Sequence, residues 1–354
     1  MEDLLKKVIG NASTYCVTGS TGYVGSWLVK SLLQKGCIVH ATARDTGKFS
    51  SLLPLWNGGD RLKLFKADLS QEGSFDEAVK GCHGVFHVAA SMEFNVLPTD
   101  NIENYVQSHK LDPAIKGTLN LMKACSRENV KRVVFTSSIS TMTAKDINGT
   151  WKSIVDESCQ TATDQMWNMK PSGWVYVLSK ILSEEAAFKY ADENAIDLIS
   201  IITTTVAGPF LTPTVPASVQ ILLSPITGEF VFNSILQAVN DRIGSIPVVH
   251  IEDICNAHIF LMEHTTAKGP YICSAHSSVM SQLVDSLALE YPYSQIRRSS
   301  EGQHDSIPSV LSSEKLTTIG FAYKYGLKEI LEQSISCCVQ QGFLKNPSNH
   351  DGNP

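Results

Sequence analysis

A tyrosine and a lysine stand four residues apart in the string WVYVLSK, at Tyr176 and Lys180. If this segment is helical, the two side chains share one face, because residues i and i+4 are neighbours on an α-helix. An ammonium beside a phenol favours phenolate and so lowers the tyrosine pKa. The pair therefore predicts a proton-donating group, although the same spacing also arises by chance on amphipathic helices.

A glycine-rich loop near the start of the chain would give this proton donor a redox partner. Gly19, Gly22 and Gly25 follow a β-type run, Thr14–Val17, and lead into apolar residues at helical spacing in Gly22–Gln34. Glycines permit a tight turn and close approach of the backbone to pyrophosphate, and the helix offers free N–H groups. We predict a dinucleotide site here rather than a purely structural turn. The predicted contacts in this loop are Thr18, Gly19, Thr21, Gly22, Tyr23, Val24 and Gly25.

The end of the second predicted strand indicates which nicotinamide cofactor is bound. NAD-binding loops carry an acid about 20 residues on, which bonds the ribose hydroxyls. Ala43 stands near that position and is followed by Arg44, whose guanidinium suits a 2′-phosphate. We expect Asp45 to turn away or cap a local turn, and Lys48 to be either a second phosphate contact or a solvated surface lysine. The pattern favours NADPH/NADP+.

Further cofactor contacts are predicted at the ends of later strands. Asp68, beside Leu69, could bond the adenine amino group, and a simple turn cap is the competing interpretation. The other predicted contacts are Leu69, Val88, Ala89, Ala90, Lys180 and Thr203.

Strand and helix patterns alternate through the first half of the chain. Such alternation predicts an α/β fold, a Rossmann-type doubly wound parallel sheet covered by helices on both faces. The predicted later strands are Cys37–Thr42, Leu62–Lys66, Val85–Ala90, Arg132–Thr136 and Asp197–Thr205, and the predicted helices are Ser74–Lys80, Asp112–Cys125 and Trp174–Tyr190. Ser74 and Glu77 have the spacing of a capping box.

The pattern loosens after Gly208-Pro209, and we predict a smaller, discontinuous C-terminal substrate lobe. The predicted domains are 12–208 for NADPH binding, with 246–265 returning to it, 209–245 and 266–345 for the substrate lobe, and a disordered tail at 346–354. Within the returning segment a strand feeds the helix Ile254–Glu263, with Asp253 as its cap. His250 and His258 there are interpreted as structural.

Bulk composition excludes several classes of protein. The 354 residues are 43% hydrophobic and carry a net charge of −6, which argues against nucleic-acid binding. Nine scattered cysteines without a C-x-x-C spacing indicate reduced thiols and no metal site. The sequence lacks an apolar run of about 18 residues and a secretory signal. We expect a cytoplasmic protein without a membrane span, a monomer or weak homo-oligomer.

Several longer strings carry a family resemblance. They are VTGSTGYVGSWLV from Val17, GCHGVFHVA from Gly81, LSPITG from Leu223 and HIEDICNAH from His250. With Thr136-Ser-Ser138 and Tyr176-x-x-x-Lys180, these strings resemble the extended short-chain dehydrogenase/reductases. Within them the chain resembles the plant dihydroflavonol 4-reductase and anthocyanidin reductase group, over about residues 13–345.

The resemblance implies a catalytic triad of Ser138, Tyr176 and Lys180. Tyr176 would donate a proton to the substrate oxygen as hydride arrives, and Lys180 would lower the tyrosine pKa and hold the cofactor ribose. Ser138 would hydrogen-bond the same oxygen. Ser137 is the alternative, because adjacent strand residues face opposite sides and only one can face the site.

Some positions depart from the relatives. Thr143 replaces the asparagine of dihydroflavonol reductases and matches anthocyanidin reductases, as does the long segment Glu229–Ile246. Thr203-Thr204 replaces a Pro-Thr pair, and Asn95–Val106 is longer than expected where a substrate lid would lie. The Asn-Trp-Tyr-Cys-Tyr-Gly-Lys type signature of cinnamoyl-CoA reductases is absent. The candidate substrate residues, for each of which core packing is the alternative, are Met92, Phe94, Thr143, Trp174, Phe210 and Ile226.

Together these observations predict an NADPH-dependent oxidoreductase that transfers hydride to a carbonyl or related carbon of a small aromatic plant metabolite of flavonoid type. A non-flavonoid ketone, such as an alkaloid or another phenolic ketone, is the first alternative for the substrate. An NAD-dependent epimerase or isomerase of the extended family is a second alternative, which the pair Ala43-Arg44 disfavours. A non-catalytic NADPH-binding protein is the third.

Overall fold

The computed structural model of the chain describes residues 12–90, 101–146, 148–171, 173–292 and 308–346. Several predictions concern residues outside these ranges. Those residues are Met92, Phe94, the part 95–100 of the long segment after the fourth strand, Ser172, and 347–354 of the tail.

Twelve strands in the described residues form three sheets. They are β1 (Thr14–Val17), β2 (Ile38–Ala43), β3 (Leu62–Lys66), β4 (Gly84–His87), β5 (Arg132–Ser138), β6 (Ile154–Val155), β7 (Asp197–Thr203), β8 (Thr205–Ala207), β9 (Ile246–His250), β10 (Gly269–Cys273), β11 (His276–Ser278) and β12 (Val310–Leu311). The large sheet has the order β10-β7-β5-β4-β1-β2-β3, and the small ones have the orders β11-β9-β8 and β12-β6.

The order of the large sheet confirms the doubly wound prediction. From β1 the chain winds outward through β2 and β3, then returns to pair β4 with the other edge of β1. The β1–β2, β2–β3, β1–β4 and β4–β5 pairs are all parallel. Ligands of such sheets bind where the winding reverses, outside the carboxyl ends of the strands. Here that point lies between the residues that follow β1 and those that follow β4.

Helices connect most of these strands. They are α1 (Tyr23–Gln34), α2 (Leu53–Trp56), α3 (Asp76–Val79), α4 (Ile102–Val106), α5 (Asp112–Arg127), α6 (Thr163–Met169), α7 (Trp174–Glu193), α8 (Ala217–Thr227), α9 (Phe230–Ile243), α10 (Ile251–Glu263), α11 (Met280–Glu290), α12 (Glu314–Thr318) and α13 (Leu327–Gln340). The predicted strands and long helices of the first half are confirmed, with ends displaced by one to a few residues.

The chain forms two compact units. The first comprises Met1–Ser137, Val175–Ile201 and Cys255–Gly269, and the second comprises Ser138–Trp174, Ile202–Ile254 and Pro270–Pro354. This division reflects contacts within each unit and not the binding of any ligand. The predicted division into a cofactor domain and a substrate lobe concerns binding and stays a prediction.

Each unit has its own apolar core. In the first, Cys16, Val85 and Val133 from β1, β4 and β5 pack with Leu121 of α5 and Ala187 of α7. Apolar side chains projecting from one face of a sheet onto helices are typical of a buried parallel sheet. The second unit has a separate cluster, which includes Met142, Val155 and Ile272, and the partly buried Trp151 packs against it.

All nine cysteines are free thiols, and all but Cys337 are buried. This agrees with the prediction of reduced cysteines, which behave as small hydrophobic residues.

The predicted capping box at Ser74 is wrong. Helix α3 begins at Asp76, and its first turn has no side-chain cap from Ser74. The Ser74 hydroxyl instead donates to the carbonyl oxygen of Asp68 at 2.8 Å and accepts from the Asp68 N–H at 3.1 Å. It therefore closes the loop after β3 rather than starting a helix.

The predicted cap at Asp253 is also wrong. Helix α10 begins at Ile251, so Asp253 lies inside its first turn. Its carboxylate accepts hydrogen bonds from the backbone N–H groups of Lys324 and Tyr325, at 3.1–3.2 Å. The Asp253 carboxylate, which the local pattern predicts as a helix cap, therefore binds a segment that is distant in sequence.

Among the described residues, no single helix has the length and apolar character needed to cross a membrane. The consecutive helices α8 and α9 satisfy that test only as a pair, and they bend by 103° at the break between them.

Arg132, the first residue of β5, anchors the strand that carries the predicted serine. Its Nε and Nη2 donate to Asp197 Oδ2 at 2.8 and 2.5 Å. Its Nη1 donates to the carbonyl oxygens of Leu261, Met262 and His264, at the end of α10. One guanidinium therefore satisfies carbonyls that the helix leaves without intrahelical donors.

Replacing Arg132 with methionine should lower the free energy of unfolding by about 2 kcal/mol, because a part-buried acid and several carbonyls lose their donor. Urea unfolding measures this. Lys123→Met is the matched control, since Lys123 pairs with Glu72 at a site where both side chains are well exposed. Exposed pairs contribute less than about 1 kcal/mol. Equal losses in the two variants would contradict the anchoring role.

Candidate active site

The loop between β1 and α1 has a backbone that only glycine accommodates at two positions. Gly19 has a φ of +64°, and a Cβ there would lie 2.8 Å from the Cα of Ala89. A Cβ at Gly25 would overlap the carbonyl oxygen of Gly19. Gly22 caps α1 without a side-chain hydrogen bond, so no capping side chain covers the N–H groups of the first turn. These residues fit a pyrophosphate, since donors and the positive end of a helix meet there.

Thr18 joins this loop to the end of β4. Its buried Oγ1 accepts hydrogen bonds from the N–H groups of Val88 and Ala89, at 3.1 and 3.0 Å. The same oxygen lies 3.2 Å from Nδ1 of His87. The structure therefore brings together two segments predicted separately to contact the cofactor, and it does so at the point where the sheet reverses its winding.

The end of β2 presents the residues predicted to select the cofactor. Arg44 and Lys48 are exposed, as a phosphate contact requires. Asp45 Oδ1 accepts from the N–H of Gly47 at 3.0 Å and caps a short 3₁₀ turn, which confirms that expectation. Asp68 Oδ1 accepts from the N–H and hydroxyl of Ser70, the turn cap that was the competing interpretation. A contact of Asp68 with adenine stays a prediction.

Lys180 is buried on α7, one turn after Tyr176. Its Nζ donates to the carbonyl oxygen of Thr136 at 2.9 Å and lies 5.5 Å from the centre of the Phe135 ring. Burial lowers the pKa of Lys180 to about 8, and the charge of Glu184 acts in the opposite direction. Burial also lowers the pKa of the nearby His87 to about 3, and the charge of Lys180 lowers it further.

The two serines at the end of β5 have different surroundings. Ser137 is buried, and its hydroxyl donates to Glu184 Oε2 at 2.5 Å. Ser138 is partly exposed, and its Oγ accepts from the N–H and the hydroxyl of Ser140, at 3.2 and 3.0 Å. Because Ser137 is occupied in the core, Ser138 is the better candidate for the predicted serine.

The predicted substrate residues in the second unit have mixed surroundings. Trp174 is buried, and its ring packs edge-on against Trp167 with ring centres 5.2 Å apart. Phe210 is also buried, whereas Ile226 is partly exposed near the end of α8. The Thr143 hydroxyl accepts from the N–H of Lys145 at 3.2 Å. Thr203, which was predicted as a cofactor contact, ends β7, and its hydroxyl donates to the carbonyl oxygen of Thr204.

Two residues that the sequence analysis did not single out hold the site segments in place. Glu184 binds Ser137, as described above. Arg242, near the end of α9, donates from Nη1 to the carbonyl oxygen of Ser140 at 2.6 Å and accepts at its own carbonyl from the N–H of Ala144. Arg242 thus fixes both ends of the turn that follows Ser138. The spacing of Glu184 four residues after Lys180 was a usable sequence signal, whereas nothing in the sequence pointed to Arg242.

Comparison with known proteins agrees with this geometry. The sequence model of the NAD dependent epimerase/dehydratase family matches residues 15–273. The chain belongs to that family. It therefore shares the nucleotide-binding fold of the extended short-chain dehydrogenase/reductases, and the glycine loop and β4 end described above lie within the matched region.

Individual relatives cover almost the whole chain. An anthocyanidin reductase ((2S)-flavan-3-ol-forming) of Vitis vinifera is 42% identical over 338 residues, covering 94% of this chain and 97% of the relative. A dihydroflavonol 4-reductase of Arabidopsis thaliana is 42% identical over 342 residues, covering 95% and 85%. The crystal structure of vestitone reductase from alfalfa aligns with a TM-score of 0.77 at 31% identity, covering 94% and 99%. The predicted resemblance is confirmed, and the chain is an oxidoreductase of this family.

The glycine loop generates a test of cofactor binding. Gly25→Ala should weaken nicotinamide-cofactor binding by at least roughly tenfold, because moving the loop removes one or more N–H hydrogen bonds to a charged pyrophosphate, which contribute about 1.5–3 kcal/mol each. Gly22→Ala is the matched control, since a Cβ there would lie 3.3 Å from the Gly19 oxygen and needs only a small shift. Fluorescence titration with the cofactor measures both. A larger loss in Gly22→Ala would show that backbone packing at Gly25 does not control the site.

Proposed function

We propose that this chain is an NADPH-dependent reductase of a small aromatic metabolite of flavonoid type. The observation that carries the proposal is the buried ammonium of Lys180 one turn from Tyr176, in a chain whose relatives at 42% identity are named reductases. The proposal includes its cytoplasmic location and its action as a monomer or weak homo-oligomer.

The chain's own residues would supply proton transfer and charge stabilisation. When bound, the nicotinamide supplies the hydride. Tyr176 donates its phenolic proton to the substrate oxygen, and the positive charge of Lys180 makes that phenol a stronger acid. Ser138, partly exposed at the end of β5, donates a hydrogen bond to the same oxygen and stabilises its developing negative charge.

The choice of NADPH rests on the end of β2. Arg44 is exposed where NAD-binding relatives of the fold carry an acid, and the carboxylate of Asp45 is occupied by the N–H of Gly47. A guanidinium forms charge-assisted bonds with the 2′-phosphate that distinguishes NADPH from NADH. Arg44 at this position also disfavours the alternative of an epimerase, because such an enzyme would retain tightly bound NAD.

The substrate class rests on the relatives and on the turn after Ser138. Thr143 lies in this turn, which Arg242 holds at both ends. Thr143 and the long segment Glu229–Ile246 are the two features that favour an anthocyanidin-type reductase. We propose Thr143, Trp174, Phe210 and Ile226 as substrate contacts, although the burial of Trp174 and Phe210 also supports their packing role. A ketone outside the flavonoids stays an alternative, because these positions do not distinguish ring systems.

Arg44→Ala should reduce NADPH affinity by about 10- to 100-fold, because a charge-assisted hydrogen bond contributes about 1.5–3 kcal/mol. NADH affinity should change little, so the preference for NADPH should disappear. Calorimetric titration of both cofactors measures this. Lys48→Ala is the companion variant, and it separates a second phosphate contact from a solvated lysine. Equal affinity of the wild-type chain for NADPH and NADH would contradict the phosphate assignment.

Tyr176→Phe should lower turnover by about 100- to 10,000-fold, the usual contribution of a positioned general acid. NADPH affinity should be retained, because only a hydroxyl is removed. The assay follows NADPH consumption with a panel of dihydroflavonols, anthocyanidins, and alkaloid and phenolic ketones. Full activity in the variant would show that the proton donor is misassigned. A wild-type chain that binds NADPH and consumes it with no panel member would favour the non-catalytic alternative.

A further inference from the structure

Glu184 lies one helical turn beyond Lys180 on α7, and both side chains are buried, at 6% and 8% exposure. An acid and a base four residues apart share one helix face. Two consecutive residues of β5 engage them. The carbonyl oxygen of Thr136 accepts from Lys180 Nζ at 2.9 Å, and the hydroxyl of Ser137 donates to Glu184 Oε2 at 2.5 Å. The end of one strand thus contacts both ionisable side chains.

Among the residues that the structure describes, few other ionisable groups lie near Lys180 and Glu184. His258 contacts it indirectly, through a 2.9 Å hydrogen bond between its Nε2 and the Thr136 hydroxyl. His87 faces it from β4 and is kept neutral by burial. Tyr176 lies one turn before Lys180, and Glu185, the neighbour of Glu184, is exposed. In the described part of the chain, Glu184 is the acid whose charge opposes the effect of burial on Lys180.

We propose that Glu184 is a positioning residue that keeps Lys180 charged and so sets the upper pH limit of the reduction. The proposal rests on the proposed function, in which Lys180 strengthens Tyr176 as an acid. Glu184 would touch neither substrate nor cofactor and would act only through Lys180.

The physical reason is the cost of an isolated buried charge. An ammonium removed from water without an opposing charge loses its proton more readily, because burial favours the neutral form. Burial raises the pKa of Glu184, and a raised pKa is also the net result; the hydrogen bond from Ser137 and the charge of Lys180 oppose this rise, and the charge of Glu185 adds to it. We infer that the opposing contacts keep Glu184 ionised despite its burial, so that both Lys180 and Glu184 carry their charges.

Loss of the Glu184 charge should move the alkaline limit of activity to lower pH. Lys180 loses its proton as pH rises through a pKa of about 8. Without the carboxylate charge, this loss occurs at lower pH. Above that pH the phenol of Tyr176 is a weaker acid, so proton donation slows. The alkaline limb of the activity profile should therefore move to lower pH in a variant that lacks the charge.

The test compares Glu184→Gln, which keeps the shape and removes the charge, with Glu185→Gln as the matched control on the same helix. Titration of ¹³Cε-lysine signals reports Lys180 directly, with its signal assigned by its loss in Lys180→Met. In Glu184→Gln the Lys180 pKa should fall by about one pH unit or more. The alkaline limb of kcat/KM should move by the same amount, while Glu185→Gln should match the wild type. Glu184→Asp, which retains the charge, should recover part of the difference.

An unchanged Lys180 titration in Glu184→Gln would overturn the proposal, as would an equal shift in Glu185→Gln or a shifted titration with an unmoved alkaline limb. The lysine titration needs no substrate. If the wild-type chain reduced nothing in the panel, the proposed function would fail, and the titration would still decide the role of Glu184. If circular dichroism shows that Glu184→Gln does not fold, Ser137→Ala replaces it. That variant removes the donor that favours ionised Glu184, and the Lys180 pKa should fall in the same direction.

Discussion

The burial of the Lys180 ammonium is the constraint on which the candidate site depends. Moving a charge out of water costs several kcal/mol unless partners replace its hydration. Here the ammonium contacts a carbonyl at the end of β5 and the face of the Phe135 ring, and the charge of Glu184, one turn along α7, would favour its protonated form. Strand and helix must therefore keep one fixed register, and the residues that anchor β5 at Arg132 serve the chemistry as well as the fold.

Much of the fold followed from local patterns. The strands around the glycine loop and the long helix of Tyr176 were predicted nearly to their ends, because apolar periodicity is a local property. The two wrong helix-cap predictions have one physical cause. Ser74 and Asp253 satisfied local capping rules, yet Ser74 bonds Asp68 and Asp253 bonds a segment 71 residues away. In both cases a hydrogen bond outside the helix replaces the cap that the local sequence pattern predicts.

Some residues of the candidate site were predictable from short sequence motifs, and others were not. Arg44, Tyr176 and Lys180 belong to short motifs, so their types and spacing were visible in the sequence. Glu184 and Arg242 act through contacts with Ser137 and Ser140, which are 47 and 102 residues away in the chain. Substrate contacts were the least predictable, since burial of Trp174 is expected for core packing and for an aromatic pocket alike. Their assignment stays a prediction.

The hydroxyl of Thr18 also determines which nitrogen of His87 carries the proton. A hydroxyl oxygen has two lone pairs, and the N–H groups of Val88 and Ala89 occupy both. The remaining contact, with Nδ1 of His87, must therefore be a donation by Thr18. The imidazole is then the Nε2-protonated tautomer, whose N–H points to the hydroxyl of Thr118 at 3.4 Å. The hydroxyl of Thr118, the imidazole of His87 and the hydroxyl of Thr18 thus form a chain of oriented hydrogen bonds from α5 to the glycine loop. Its direction is fixed by the protein alone.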